Sequence, residues 1–447
     1  MEPRPKKLLI VTYVFPPFAA VGVYRILKFC KYLPDFGVNP VILSPRRPNT
    51  MARDEGLMAQ VPHYVPVHHT PTFEPFRWKP EAKAAAEAGS GQPLPLDVRA
   101  PMKPTVMSRL KQTIRQNLSI PDTSYFWRWT GLWTGIQTVK DEKVDLVLSS
   151  SPPHSTHLLA AHIASRTRKP LIVDFRDLWT QNTSYSERKL PPALQSRDRR
   201  YEELVLRQAA GITVNTDTFK AQLLANNGFL HDGRIDVVTN GVDPDDFKEF
   251  VASGTGESRF TLLYTGSLYG GHRNPEFFFT AFREWLNRRP EVAGQVRLLF
   301  IGNWAPEHAG LIDRHGLGEV IVKRDWMPQR EALKETFAAD VLLLFQGFDP
   351  ALAAAIPRKL YEYMITNKPI MAFAPPGEIP DLITRYDCGT SFSSPESGPI
   401  IAYLDEAFNA WKHRRETGQT VHSLRSMPDL ETRQQVRKLA DLCHRLA

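Results

Sequence analysis

Short apolar runs alternate with segments of helical periodicity along most of the chain. Residues 8–13 are mostly apolar and predict a strand, and the apolar positions between Gly22 and Pro34 recur every 3.6 residues, which predicts a helix. Further strands are predicted at 41–43, 144–149, 171–175, 212–214 and 235–238. Apolar strands separated by helices are typical of a parallel sheet that has helices on both faces.

A second series of the same kind begins near Phe260. Its predicted strands lie at 261–265, 296–301, 320–322, 341–345 and 370–374. Residues 243–258 contain glycines and serines without apolar periodicity, and we expect them to form a linker. The predicted fold class is therefore α/β, with two doubly wound, Rossmann-like domains that face each other across a cleft.

These patterns also predict the domain boundaries. The first domain is expected at 1–245, with an irregular, basic insert at 45–125. The second domain is expected at 258–400, and charged helices at 401–447 are expected to pack back on the first domain. A chain of 447 residues is too long for one ordinary core, which also favours two domains.

Composition narrows the class of protein. Apolar residues make up 42% and charged residues 23%, which is typical of a soluble globular protein. The three cysteines form no CxxC pair, which indicates a reducing compartment, and we expect a cytoplasmic protein. The polar N-terminus predicts no signal peptide, and no run of about 18 apolar residues predicts a membrane span.

The net charge of +8 favours anionic partners, although a solvated surface explains it equally well. A nucleic-acid partner has no motif in its support, so we do not expect one. Residues 106–120 form a basic amphipathic pattern close to Trp127, Trp129 and Trp133. Such a helix can lie on an anionic membrane, or it can simply cover the core.

A helix is predicted at 357–366. Its positions are mostly apolar, and it contains one acidic residue, Glu362. A carboxylate at Glu362 can accept hydrogen bonds from ribose hydroxyls, while Lys359 and the loop that contains Gly377 can meet phosphate. The alternative is a plain ion pair between Arg358 and Glu362, which are four residues apart on one helix face. This segment predicts a nucleotide-sugar site.

Two glycine loops follow predicted strands. Gly266 lies in a loop that ends at Arg273, just before a predicted helix, where a guanidinium and helix-terminal amides suit a diphosphate. Gly22 lies in the loop after the first strand, where amides can receive phosphate or an acceptor sugar. Ordinary turns remain the alternative in both places.

Polar residues also follow two strands of the first series. His154 lies in the sequence SSPPHSTH, where it can bind sugar hydroxyls or cap a helix. Arg176 and Asp177 lie in VDFRDLW, where the arginine can stabilise a leaving diphosphate and the aspartate can orient a hydroxyl. An internal Arg–Asp pair is the alternative. No carboxylate is spaced to orient the histidines, so we expect no metal site.

The ordered set of SSPPHSTH, VDFRDLW, VVTNGVD, the TG loop and PRKLYEYM…NKP…PPGE resembles glycosyltransferase family 4, over about residues 8–383. The resemblance implies the GT-B fold, metal-independent transfer with retention and no cofactor. It implies that Glu362 holds the ribose, and that Arg273 and Lys359 face the diphosphate. It also implies that Gly377 lies in the loop near the donor and that Gly22 lies in the glycine loop of the first domain. Many relatives carry a glutamate where this chain has Ala354.

The resulting hypothesis is a glycosyltransferase that builds surface polysaccharide. Its donor would be a nucleotide diphosphate sugar, and its acceptor a glycan or a lipid-linked sugar at the inner membrane face. Alternatives with the same fold are a nucleotide-sugar epimerase, a phosphorylase, and a non-catalytic protein that binds a glycan or a partner.

Overall fold

The computed structural model describes residues 4–48, 53–73, 117–182, 185, 188, 190–253, 258–268, 273–308, 310–418 and 423–447. The chain forms two compact units. The first comprises Met1–Asn240 together with Thr432–Ala447, and the second comprises Gly241–Glu431. Most of the predicted insert at 45–125, including most of the predicted helix at 106–120, lies outside the described residues.

The first unit has a seven-stranded parallel sheet in the order β3-β2-β1-β4-β5-β6-β7. Its strands are β1 (Lys6–Val11), β2 (Val38–Pro45), β3 (Val67–Thr70), β4 (Leu146–Ser151), β5 (Leu171–Phe175), β6 (Gly211–Val214) and β7 (Ile235–Val237). Its helices are α1 (Val21–Tyr32), α2 (Trp127–Asp141), α3 (Ser155–Thr167), α4 (Pro192–Gln208) and α5 (Asp217–Asn226). Every residue of β4, β5 and β6 is buried, and the apolar runs at 146–148 and 171–173 make β4 and β5 recognisable in the sequence.

The second unit has a six-stranded parallel sheet in the order β10-β9-β8-β11-β12-β13. Its strands are β8 (Phe260–Thr265), β9 (Val296–Ile301), β10 (Ile321–Arg324), β11 (Val341–Phe345), β12 (Ile370–Phe373) and β13 (Gly389–Phe392). Its helices are α6 (Glu276–Arg288), α7 (Leu311–Arg314), α8 (Gln329–Ala338), α9 (Arg358–Ile365), α10 (Glu378–Arg385) and α11 (Ser397–Thr417). The prediction of two doubly wound α/β domains is confirmed.

The C-terminal region is divided between the units, which differs from the predicted boundaries. Helix α11 packs in the second unit, where Asp405 accepts a hydrogen bond of 2.8 Å from the Trp285 indole. The last helix, α12 (Thr432–Leu446), returns to the first unit, where Val436 and Cys443 join the core that contains Cys30. The predicted linker is not a separate segment either, because Phe247 and Phe250 of its first half are buried in the core of the second unit.

In both units the strand order reverses beside the first strand, between β1 and β4 and between β8 and β11. Ligands of open parallel sheets bind at such switch points, beyond the carboxyl ends of the strands. The loops that follow β1, β4, β8 and β11 are therefore the places to examine for a site in each unit.

Candidate functional site

In the second unit, Gly266 follows β8 at the switch point. Its φ is +112°, and a Cβ atom built there would lie 2.7 Å from Nζ of Lys359. Gly302, at the end of β9, has φ +132°, and its Cβ would lie 2.5 Å from the Gly266 carbonyl oxygen. Glycine is needed at both positions, because both the backbone conformation and the close approach exclude a side chain. The lysine ammonium therefore lies against bare backbone.

Helix α9 is fixed to the end of β8 by Tyr363, which is buried. Its hydroxyl accepts a hydrogen bond from the Thr265 N–H at 2.9 Å and lies 2.9 Å from Oγ1 of Thr265. Lys359 lies one turn earlier on the same helix, and its Nζ is 4.0 Å from the centroid of the Tyr264 ring. This contact holds Lys359 beside Gly266, where the sequence predicts a diphosphate site.

Arg273 and Glu362 have opposite effects on the charge state of Lys359. Burial, and then the positive charge of Arg273, hold the pKa of the lysine well below its usual value, and Glu362 opposes this effect. Desolvation disfavours the charged form of a lysine, so a bound anion would stabilise the ammonium form of Lys359. The structure thus brings together four of the predicted donor-binding residues, Gly266, Arg273, Lys359 and Glu362.

One of the two oxygens of the Glu362 carboxylate has partners in the described part of the chain. Its Oε1 accepts a hydrogen bond of 2.8 Å from Nε2 of Gln329 and pairs with Nη2 of Arg358 at 3.2 Å. No donor contacts Oε2 within the described part of the chain. The Arg358–Glu362 ion pair considered as an alternative is therefore present, and it leaves one oxygen available to a ligand.

Gly377 immediately precedes α10. Its φ is +144°, and a Cβ there would lie 2.6 Å from the Ala353 carbonyl oxygen, which accepts a 3.0 Å hydrogen bond from the Glu378 N–H. This loop is therefore fixed against the segment that precedes α9. Ala354, where many relatives carry a glutamate, is only 2% exposed in this segment.

In the first unit, Arg176 lies over the beginning of α1. A Cβ atom on Gly22 would lie 0.9 Å from Nη1 of Arg176. The guanidinium is held by Nε donating to the Ser151 carbonyl and Nη2 donating to the Pro152 carbonyl, both at 2.6 Å. The first turn of α1 has neither an acidic residue nor a side-chain cap. A cation at the positive end of a helix dipole favours an anion beside it.

The first charged residue of the VDFRDLW motif has a structural role. Asp174 is buried and forms a two-pronged pair with Arg25, with Nη2–Oδ1 at 2.7 Å and Nε–Oδ2 at 3.1 Å. Ser150 and Thr213 donate to the same carboxylate at 2.7 and 2.6 Å. Asp174 therefore pairs with Arg25 and not with Arg176, the arginine of the internal pair that was considered as an alternative.

Asp177 lies beside Arg176 and is half-buried. Burial raises the pKa of its carboxyl, and the Arg176 charge partly opposes the shift. Among the residues that the structure describes, no hydrogen-bond donor contacts this carboxylate. Its place at the end of β5 is compatible with a contact to a substrate hydroxyl.

His154 stacks on Trp179, with ring centroids 5.1 Å apart and an angle of 7° between the planes. Burial, and then the charges of Arg176 and Arg188, lower the pKa of His154 to about 3, so the imidazole is neutral. Its Nδ1 is buried without a hydrogen-bond partner in the described chain. By contrast, His157 is fully buried and its Nδ1 bonds Oγ of Ser149 at 2.8 Å, which makes it a core residue.

Three residues of these sites were not predicted from the sequence: Gln329, Tyr363 and Trp179. Gln329 lies 33 positions before Glu362 and has no local signal. Tyr363 and Trp179 stand inside the quoted motifs, where they resembled ordinary apolar positions. Within the described residues, no three His, Cys, Asp or Glu side chains gather as metal ligands, and no helix has the length and apolar character to cross a membrane.

Residues 23–241 match the family model of a glycosyl transferase 4-like domain. No curated protein sequence matches the chain significantly. The fold is similar to that of Alr3699/HepE from Anabaena, solved in complex with UDP-glucose, with 13% identity, TM-score 0.53, and coverage of 98% of this chain and 94% of that one.

Two further solved structures are similar over nearly their whole length. WaaG, a glycosyltransferase involved in lipopolysaccharide biosynthesis, has 14% identity, TM-score 0.52 and coverage of 98% of both chains. The UDP-GlcNAc 2-epimerase from Methanocaldococcus jannaschii has 12% identity, TM-score 0.54, and coverage of 98% and 99%. Identities this low establish the fold alone. Residues 23–241 thus match a glycosyl transferase 4-like domain, and the chain as a whole has the GT-B fold.

Proposed function

We propose that the protein transfers a sugar from a nucleotide diphosphate sugar to a glycan or lipid-linked acceptor during the synthesis of a surface polysaccharide. The observation that carries this proposal is the arrangement around α9. There Glu362 offers a carboxylate oxygen without a donor in the described chain, next to the positive charges of Lys359 and Arg273. A nucleotide diphosphate sugar carries both groups that this arrangement can bind. Its ribose hydroxyls can donate to the carboxylate, and its diphosphate can pair with the cations.

In this proposal the ribose hydroxyls donate to Oε2 of Glu362. The diphosphate faces Lys359 and Arg273, which lie beside Gly266, because cations are the usual partners of phosphate. The Gly377 loop lies near the transferred sugar. The presence of UDP-glucose in HepE, whose fold is similar, supports a nucleotide sugar as the donor.

The transfer breaks the bond between the anomeric carbon and the diphosphate oxygen, and it forms a bond from that carbon to the acceptor oxygen. The acceptor proton passes to the departing diphosphate, with retention of configuration and without a metal ion. Arg176, at the N-terminus of α1, stabilises the negative charge that develops on the leaving group. Asp177 orients a hydroxyl, and the neutral His154 accepts a hydrogen bond from one.

We further propose that the protein works in the cytoplasm as a peripheral protein of the inner membrane face. Trp129 and Trp133 lie one turn apart on α2 and are 57% and 69% exposed, and Arg128 stands beside Trp129. Indole rings with a neighbouring cation suit the interface of an anionic bilayer, where a lipid-linked acceptor would be met.

The proposal is tested by nucleotide release from a panel of nucleotide sugars, with a crude glycan or lipid extract as the acceptor source. The Glu362→Ala variant should lose most of the turnover, whereas Glu284→Ala, in an exposed helical ion pair of the same unit, should not. Equal turnover by wild type and Glu362→Ala would contradict the assigned site.

The same assay separates the alternatives. An epimerase would convert the nucleotide sugar without any acceptor and without releasing nucleotide. A non-catalytic protein would bind nucleotide without turnover, an outcome favoured by Ala354, which stands where many relatives carry a glutamate.

A further inference from the structure

A basic cavity of about 430 Å³ lies at the amino ends of β1, β4 and β5 in the first unit. This is the opposite edge of the sheet from Gly22 and Arg176, which follow the carboxyl ends of β1 and β5. The cavity is lined by the residue before Lys6, by the end of α2 with the turn into β4, and by the end of α3 with the loop into β5. The cations that line it are Arg4, Lys140, Lys143, Arg166 and Lys169.

Within the described chain, one carboxylate lines the cavity, and it is already paired. Both oxygens of Asp145 accept hydrogen bonds from Nη2 of Arg4, at 2.9 and 3.0 Å. The nearby Glu142 does not line the cavity, and its Oε2 pairs with Nζ of Lys7 at 3.1 Å. Among the residues that the structure describes, no carboxylate pairs with any of the other four cations. Their positive charges therefore lack a counter-charge from this part of the chain.

The ends of α2 and α3 supply an ordinary reason for cations at this place, but only in part. The C-terminus of a helix carries about half a negative charge, so the two ends together balance about one of the four cations. Positive charge therefore remains in excess around the cavity. Like charges that line one space repel each other, so a bound anion would stabilise their common placement.

The backbone around the cavity is fixed in a conformation that cationic residues rarely adopt. Lys143 has φ +53°, and Arg168, which lies between two residues that line the cavity, has φ +55°. Glycine or asparagine usually occupies this left-handed position after a helix, because a Cβ atom is disfavoured there. The turn into β4 is closed by a 3.0 Å hydrogen bond from the Val144 N–H to the Val139 carbonyl. Local backbone preference therefore does not explain the cations.

We propose that this cavity, the amino-edge site, is a second anion site that takes a ligand with phosphate groups. Lysine and arginine are usual partners of phosphate oxygens. The buried side chains of Val139 and Val144 add an apolar wall, and the volume lies in the range of about 300–1,000 Å³ that small-molecule sites have. A free phosphorylated compound and the headgroup of an anionic phospholipid share this chemistry. The inference goes beyond the proposed function and does not depend on it.

The test measures binding of inorganic pyrophosphate to the full-length protein by calorimetry at low ionic strength, where salt screens the charges least. The double variant Lys140→Gln/Lys169→Gln removes one cation from the end of α2 and one from the loop after α3. Its affinity at this site should fall about 10- to 30-fold, the loss for two solvent-accessible ion pairs near the upper end of their usual strength. Lys412→Gln/Lys438→Gln removes the same charge from exposed positions elsewhere and should bind as the wild type does.

The variant Lys359→Ala separates the amino-edge site from the proposed donor site. Pyrophosphate bound at Lys359 and Arg273 should be lost in Lys359→Ala and kept in the double variant, whereas binding at the amino-edge site should show the reverse. The double variant should also bind UDP as the wild type does. If the wild type binds no UDP but the double variant still loses pyrophosphate, the donor site is wrong and the amino-edge site stands.

Vesicles identify the source of the phosphate. Cosedimentation is measured with phosphatidylglycerol vesicles, and vesicles of phosphatidylcholine, which has no net charge, are the reference. A loss of pyrophosphate binding in the double variant supports a free phosphorylated compound, and a loss of vesicle binding alone supports a lipid headgroup. If the double variant binds both probes as the wild type does, the cavity is a solvated basic surface and the proposal is wrong.

Discussion

The guanidinium of Arg176 occupies the space that a side chain at position 22 would need, with Nη1 only 0.9 Å from the ideal Cβ position of Gly22. Gly22→Ala should therefore displace the arginine from the N-terminus of α1 without unfolding the domain, because the displaced group is the end of a flexible side chain. If this arginine stabilises the leaving diphosphate, its displacement should lower kcat/KM about 10²-fold.

The measurement is a double-mutant cycle of turnover with Gly22→Ala, Arg176→Ala and the combination. Gly22→Ala and Arg176→Ala remove the same interaction, so the double variant should be no slower than Arg176→Ala alone. Gly228→Ala is the control, since a Cβ there meets open space. Additive losses would show that Gly22 acts independently of Arg176.

The buried pair of Arg25 and Asp174 predicts a large effect on stability. Arg25→Ala leaves a carboxylate that is 1% exposed without its cation, and such a loss costs about 3–5 kcal/mol. Urea unfolding followed by circular dichroism measures the change. Arg207→Ala, which breaks an exposed pair with Glu203, should cost less than about 1 kcal/mol. A loss below about 1 kcal/mol for Arg25→Ala would mean that Ser150 and Thr213 suffice to hold the buried carboxylate.

These two relationships show what could and could not be predicted from the sequence. Strands such as β11 and β12 were predictable because burial on both faces makes them apolar throughout. Strand β3, with the sequence VHHT at the edge of the sheet, and β13, with the sequence GTSF, have no such signal and were missed.

The site shows the same limit. Glu362 could be singled out from the sequence because an acidic residue in a mostly apolar helix is unusual, and this signal lies within a few neighbouring residues. The partner of Asp174 was not, because Arg25 is 149 positions away and the fold alone brings them together. Gln329 escaped prediction for the same reason. Local sequence thus singles out candidate site residues, whereas their partners depend on the packing of distant elements.

The lowered pKa of Lys359 predicts how nucleotide affinity depends on pH. A phosphate binds the ammonium form, so the affinity for UDP should fall as pH rises through the lysine pKa, which burial and Arg273 hold well below the usual 10.5. Calorimetry at a series of pH values below 10.5 measures this fall, and comparison with Lys359→Arg, which binds the same UDP, corrects for titration of the ligand itself. Lys359→Arg keeps its charge across this range and should give a flatter profile. Parallel profiles for the two proteins would contradict a contact between Lys359 and the diphosphate.

Glu202 predicts how the stability of the first unit depends on pH. Its side chain is buried beneath the segment that follows β5, where Oε2 accepts a hydrogen bond of 2.5 Å from the Thr180 hydroxyl. Burial is the main cause that raises its pKa from 4.5 to about 7, and the charge of Asp198 adds to it. The folded protein therefore holds this proton more tightly than the unfolded chain does.

A raised carboxyl pKa contributes stability that is full below about pH 4.5 and is lost as pH rises through about 7. The difference between the two values corresponds to about 3 kcal/mol. Between pH 4.5 and 8.5, wild type should therefore lose about 3 kcal/mol more of its unfolding free energy than Glu202→Gln, which stays neutral and can still accept from Thr180. Urea unfolding at a series of pH values measures the difference, with Glu203→Gln as the exposed neighbour for control. Identical slopes for wild type and Glu202→Gln would mean that Glu202 is ionised in the folded protein, so that water or the Thr180 hydrogen bonds offset its burial.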